Sequence, residues 1–150
     1  MLITQKTQYA LRAIFELARR NGSGPLKVAE IAKAQAIPPR FLEVILSQLK
    51  QGGFVDSQRG SSGGYSLVRA PAGLTVGEVI QFVQGPIGPV ECVTDPVKTD
   101  ECPLHTNCVF LPMWEKVQHA ISGVYDKTTF ENLVEQEKQK GKRYVPAYSI

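Results

Sequence analysis

At 150 residues, the chain is long enough for one sizeable core or for a small domain with an appendage. It is 43% hydrophobic and 21% charged, ordinary for a globular protein, and no apolar run approaches the roughly 20 residues of a spanning helix. The net charge of +3 is unevenly divided: residues 1–70 carry ten Lys and Arg against four acids, a balance of +6, and the remainder carries −3. That asymmetry suggests a polyanion-binding front half. The start, MLITQKTQYALR, lacks the apolar core of a secretory signal, so a soluble, cytoplasmic protein with no membrane partner is expected.

In chain order, Ala10, Leu11, Ile14, Phe15, Leu17 and Ala18 recur at helical spacing and predict a helix over Thr4 to Arg20. Asn21-Gly22-Ser23-Gly24-Pro25 closes it. A short helix is expected at Val28 to Gln35, interrupted by Ala36-Ile37-Pro38. Pro39 suits the first turn of a third helix, which runs to about Lys50 and is expected to bury Phe41, Leu42, Ile45 and Leu49 before Gly52-Gly53. Phe54 to Arg59 alternates like a strand, Gly60-Ser61-Ser62-Gly63-Gly64 forms a flexible tip, and Tyr65 to Val68 returns. Helix, tight turn, helix and Gly-tipped hairpin is the order of a winged helix-turn-helix. A generic small α+β domain whose hairpin binds nothing is the other reading of this pattern.

Thr75-Val76-Gly77-Glu78 has capping-box spacing and should start a helix ending near Gly85. Residues 86–107 lose periodicity and read as a long loop. Order returns near Val109, where Phe110, Met113, Trp114, Val117, Ile121 and Val124 form a stripe. A last amphipathic segment, Thr129 to Lys140, carries a second box from Thr128 to Glu131 and should bury Phe130, Leu133 and Val134. The expected fold class is mainly α with a small β-hairpin wing. Its divisions are a winged helix-turn-helix at 1–70, a connecting helix at 71–85, a cysteine-bearing loop at 86–108, helices suited to dimerisation at 109–140, and a frayed tail at 141–150.

Cys92, Cys102 and Cys108 are the only cysteines, separated by nine and five residues. Acidic neighbours (Glu91, Asp100, Glu101) argue against core thiols, and a disulfide would leave an odd cysteine in an intracellular chain. Metal ligation leads. The C-x-x-C pairs usual in structural zinc sites are missing, whereas thiolates suit an iron–sulfur cluster. Zinc, thiol sensing and no ligand at all stay open on the residues alone.

Several blocks carry a resemblance: the opening Thr-x-x-x-x-Tyr-Ala-Leu-Arg-Ala, then Phe41-Leu42-Glu43, Leu49-Lys50 and Gly53-Phe54-Val55. Arg59-Gly60-Ser61-Ser62-Gly63-Gly64-Tyr65 and Leu74-Thr75-Val76-Gly77-Glu78-Val79-Ile80 follow, with three cysteines before a Trp-bearing helix. Over about residues 1–138 the chain resembles the IscR/NsrR/RirA/CymR family of bacterial winged-helix regulators. The resemblance implies a homodimer on palindromic promoter DNA, controlled by an iron–sulfur cluster (2Fe-2S or 4Fe-4S) that senses iron, redox or nitric oxide status. Two departures bear on the fourth ligand. The IscR branch has a histidine three residues after the last cysteine, where this chain has Leu111; the NsrR branch has an acid near the start of the first helix, where it has Gln8. His105, between two cysteines, could reach iron or be an ordinary solvated loop histidine; Asp100, Glu101 or a small exogenous molecule are the other candidates.

For DNA, the third helix offers Pro39 and Arg40 at its start, where a recognition helix meets base edges. Arg40 could grip guanine or a phosphate, and Glu43 could accept from cytosine N4 or act as a filter. Arg59, with Gly60, Ser61, Ser62, Gly63 and Gly64, lets backbone approach the minor groove, while Tyr65 and Leu67 anchor the hairpin. Thr4, Lys6 and Tyr9 at the start of the first helix suit a phosphate. Phe110, Trp114, Val117, Ile121 and Val124 are the expected dimer interface, which would space two recognition helices about one DNA turn apart. No catalytic set or phosphate loop is present, so an enzyme is not expected. The alternatives are the same regulator with a zinc or thiol-redox switch, and a cluster-carrier or electron-transfer protein whose basic half binds an acidic protein.

Overall fold

Thr4 opens the first helix by accepting from the Thr7 amide at 3.2 Å, which satisfies one of the free N–H groups of the first turn. The fold is that of a computed structural model describing residues 2–143, so the expected tail beyond 143 lies outside the described residues. Helix α1 (Gln5–Arg19) is followed by α2 (Val28–Gln35), α3 (Pro39–Gln51), a hairpin of β1 (Val55–Gln58) and β2 (Gly64–Leu67), and α4 (Val76–Gln84). Then come α5 (Pro96–Glu101), α6 (Leu111–Tyr125) and α7 (Phe130–Arg143).

Helix α1 is the hub, packing against α2, α3, α4 and α7. Its Ala10, Ala13, Ile14 and Leu17 meet Ile31 of α2, Leu42, Leu46 and Leu49 of α3, Val79 and Ile80 of α4, and Phe130 and Val134 of α7 in one buried cluster. The small alanines let neighbouring helices approach closely, and burying each Leu or Ile stabilises the core by about 1.5–3 kcal/mol. Helix α7 thus closes the N-terminal core, and Phe130 is among its largest fully buried side chains. Besides Thr7, a charged group is buried in it: Glu16, fully buried yet bonded by Arg19 at 2.8 Å and by the Gln35 amide at 2.8 Å. The hydrogen bond to Glu16, strengthened by its charge, holds the Arg19 guanidinium above its ordinary pKa.

Three expectations are corrected. Phe41 is 57% exposed instead of buried, because the inward face of α3 is Leu42, Ile45, Leu46 and Leu49 and leaves it on the flank. Helix α7 is capped one residue later than expected. The Asn132 amide donates to Thr129 Oγ1 at 3.1 Å and Thr129 N–H to Asn132 Oδ1 at 3.0 Å, while Thr128 Oγ1 turns back to the Val124 carbonyl. Segment 86–107 is not a bare loop either. It holds 3-10 turns at Glu91–Val93 and His105–Asn107 around α5, whose Pro96 and Asp95 cap make a helix start that apolar periodicity cannot reveal.

The Thr75 box of α4 forms as read: Thr75 N–H donates to Glu78 at 2.9 Å and Glu78 N–H to Thr75 Oγ1 at 3.2 Å, with Arg69 3.0 Å from Glu78. The Thr75 backbone bond, then Arg69, holds the Glu78 carboxyl below its usual range. Its contribution is present above the unfolded-state pKa and is lost as pH falls through the lowered folded value. Glu78→Gln should therefore remove part of the acid-side loss of stability, as read by urea midpoints across that range. Glu16→Ala should lower stability by about 2 kcal/mol, shifting the urea midpoint without changing its slope, because Gln35 and Arg19 lose their acceptor.

Candidate DNA interface and cysteine segment

Helices α2 and α3 meet at Ala36-Ile37-Pro38. Ala36 takes a left-handed conformation, φ 50°, and Ile37 N–H returns to the Ala32 carbonyl at 3.0 Å. From α1, Arg12 donates to the Gln35 carbonyl at 2.6 Å and reaches that of Ala36 at 3.4 Å. The turn is therefore held from the side opposite the exposed face of α3. On that face stand Pro39, Arg40, Glu43, Val44 and Ser47, all exposed.

The hairpin is tied down close to its tip. Leu26 and Tyr65 exchange backbone bonds of 2.8 and 2.7 Å, so Leu26 serves as a one-residue third strand beside β2. This explains the Arg-Gly-x-x-Gly-Gly-Tyr motif. A Cβ at Gly64 would collide with the Leu26 backbone, one at Gly63 with the Gln58 carbonyl, and Gly60 turns at φ +103°. The Arg59 side chain projects from this turn, exposed.

Burial and pairing sort the ten cations of the front half. Arg19, Arg20, Lys50 and Arg69 are spent on Glu16, Glu30, Asp56 and Glu78, and Arg12 on carbonyls. Lys6, Lys27, Lys33, Arg40 and Arg59 are exposed and form no ion pair among the described residues. Lys6 and α3 share a groove of about 460 Å³ that brings Gln5, Lys6 and Tyr9 against Phe41, Val44 and Ile45. Tyr9 is half-buried, with Arg12 over its ring at 5.3 Å. Thr4 spends its hydroxyl on capping, and its N–H donates to Gln84 Oε1 at 3.0 Å. Gln84 also donates to the Leu2 carbonyl at 3.0 Å, a clamp between α4 and the start of α1 that the sequence reading missed. A lone Gln at a helix end carries no signal for such a partner.

Behind α4 lies the cysteine segment. Cys92 sits in the first 3-10 turn, Cys102 caps the end of α5, and Cys108 ends the second 3-10 turn just before α6. All three are free thiols, partly buried. Cys92 and His105 line a groove of about 410 Å³ with Asp95, Asp100, Glu115 and His119, whereas Cys102 and Cys108 do not line it. Among the described residues, no three His, Cys, Asp or Glu side chains come together to hold a metal ion. The donor types suit an iron–sulfur cluster, but the arrangement does not fit one.

Helix α6 follows directly. Trp114, Val117 and Ile121 are half-buried, Phe110 and Val124 are 60% and 63% exposed, and none of its residues is buried within the chain.

A family model named Rrf2, described as an iron-dependent transcriptional regulator, matches residues 3–136. CymR of Bacillus subtilis is 35% identical over 135 residues, covering 89% of both chains. Its structure, described as that of the global cysteine regulator, aligns with a TM-score of 0.74 at 34% identity over 91% of this chain and 98% of that one. IscR of T. potens aligns with a TM-score of 0.76 at 27% identity, over 99% and 95%. An oxidized form of Staphylococcus aureus CymR aligns at 0.68 and 27%, over 90% and 97%.

The glycine geometry is testable without a ligand. Gly63→Ala should loosen the hairpin, with backbone amides of β2 exchanging at least about fivefold faster while those of α1 and α3 are unchanged.

Proposed function

Because the chain belongs to the Rrf2 family of transcriptional regulators, we propose that it acts as a homodimer on palindromic promoter DNA, with α3 and the wing as output and residues 86–108 as input. The observation that carries the DNA reading is the sorting of cations: those without an acid partner include Lys6, Arg40 and Arg59, at the starts of α1 and α3 and in the wing. Arg40 and Glu43 face base edges, Arg59 and Gly60 to Gly64 approach the minor groove, and Thr4 and Lys6 lie along phosphates. Pro39, which has no N–H to leave unpaired, starts α3 on the same exposed face. For the dimer, the support is α6, whose Phe110, Trp114, Val117, Ile121 and Val124 have no core of their own to enter. A two-fold axis then accounts for a palindromic site.

For the input we propose the thiols. An iron–sulfur cluster on Cys92, Cys102 and Cys108, with His105 as fourth donor, agrees with the iron-dependence in the family description. It would supply a response to iron, redox or nitric oxide, and it requires residues 86–108 to gather donors that stand apart in this structure. The second reading is a thiol-redox switch without metal. Its support is the separate, half-buried thiols and the oxidized form solved for the S. aureus relative. Either input reaches the DNA face by the same road, since α4 ends where the segment begins and Gln84 holds Leu2 and Thr4.

Arg59→Ala should weaken binding to every duplex and lower the slope of log affinity against log salt by about one, measured by anisotropy titration. An unchanged slope would take the wing out of the interface. Purification without oxygen, followed by iron and sulfide assay, divides the inputs. Stoichiometric iron and sulfide lost in Cys92→Ser supports the cluster, and an iron-free protein whose DNA affinity changes with oxidant supports the switch.

A further inference from the structure

The outward ridge of α3 is not wholly polar. At 3.6 residues per turn, Arg40, Val44, Ser47 and Gln51 follow at spacings of four, three and four, opposite the buried Leu42, Ile45, Leu46 and Leu49. Val44 therefore stands at the middle of the exposed face, 57% exposed, and Phe41 beside it is equally exposed. Nothing among the described residues covers them. Together with Ile45 and Tyr9 they form the apolar side of the groove whose other side is Gln5 and Lys6.

Resting on the DNA reading above, we propose that Phe41 and Val44 are specificity-determining residues that receive a thymine 5-methyl group in the major groove. The chemistry selects this occupant. In the major groove the pyrimidine methyl of thymine is the one apolar mark among hydrogen-bonding edges, and only an apolar side chain gains by meeting it. The flanking charge selects it too. Arg40 lies one turn before Val44, and Lys6 stands across the groove; both are without an acid partner among the described residues. An acidic or phosphate-bearing partner fits that frame, and a plain apolar peptide does not. Among such partners, duplex DNA sets a row of phosphates beside methyl groups displayed on the major-groove edge. Arg40 and Glu43 then read polar edges, while Val44 and Phe41 read the thymine beside them.

The test uses the full-length protein. Its preferred sites are first selected from random duplexes, and each thymine in a selected site is then replaced by deoxyuridine, which deletes only the methyl group. Dissociation constants are read by fluorescence anisotropy. The expected result is one thymine per half-site whose replacement weakens binding about fourfold, and about fifteenfold when both half-sites are changed, the value of one buried methyl-sized group each time. The variant carrying Phe41→Ala and Val44→Ser should bind the thymine and uracil duplexes equally and keep the wild-type salt slope on unselected DNA. Both side chains are exposed, so its thermal midpoint should stay within a few degrees of wild type. Indifference of the wild type to every replacement would overturn the proposal. So would a variant that keeps its preference for thymine but changes oligomeric state, which would make the patch a contact between copies. Selection that enriches no sequence would instead overturn sequence-specific reading of DNA, and this inference with it.

Discussion

Arg12 and Glu16, one turn apart on α1, hold both ends of Gln35, and the placing of α3 depends on that grip. Arg12 binds the Gln35 carbonyl and Glu16 the Gln35 side-chain amide. The next residue, Ala36, must adopt a left-handed conformation that costs an L residue about 1–2 kcal/mol. A charge-assisted bond to the carbonyl before it, and burial of Ile37 after it, offset that cost. With the turn fixed, α3 leaves at one angle, and its four inward residues enter a core already lined by α1. The buried carboxylate is tolerated because Arg19 and Gln35 both donate to it. It gives α1, α2 and the turn one shared set of polar bonds, so the three cannot shift independently.

The grip on Gln35 also changes what the positive charge of the front half means. A surplus of +6 suggests a broad electrostatic face, yet half of the cations serve the fold. Exposed pairs such as Arg20–Glu30 add little stability, but they cancel charge where it would blur the face. What is left is sparse: Lys6 and Arg40 at the starts of α1 and α3, Lys27 at the start of α2 and Lys33 within it, and Arg59 in the wing. Sparse cations orient a duplex, and the uncharged positions between them are free to discriminate bases.

Most of this was legible where local chemistry decides. Helix starts at Thr4, Pro39 and Thr75, and the glycine-tipped wing, follow from caps and φ requirements that neighbours in sequence impose. In the sequence the glycine pair at 63–64 reads as flexibility, and the structure gives a sharper reason: Gln58 and Leu26 leave no room for a side chain. Phe41 was misplaced because hydrophobicity marks a residue for burial without saying which flank of the helix runs out of neighbours. The box at Thr128 failed by one position because Thr129 pairs across to Thr75, and Asn132 can replace Glu as its partner. The cysteines were easy to find and hard to assemble. Sequence spacing shows that three thiols share a segment, whereas their convergence depends on how α5 and two short turns orient them.

Helix α4 joins the two halves of the molecule. Its C-terminal turn carries Phe82, whose ring lies 5.1 Å from that of Phe54 at the base of the wing. That ring also fills the space where Gly52 would otherwise bear a side chain. Two residues on, Gln84 holds both the Leu2 carbonyl and the Thr4 amide. Gly85 then turns at φ +89°, and the cysteine segment begins. One short helix thus touches the wing base, the end of α3 and the start of α1, and it is covalently the first element that a rearrangement of residues 86–108 would pull. A rotation of α4 moves Phe82 and Gln84 together, so wing and α1 start would respond as a unit. On the proposed input, chemistry at the thiols would change DNA affinity by favouring one setting of α4 over another. The Gln84 bonds are exposed to water, where exchanging them costs little, whereas the Glu16 carboxylate that sets α3 is buried.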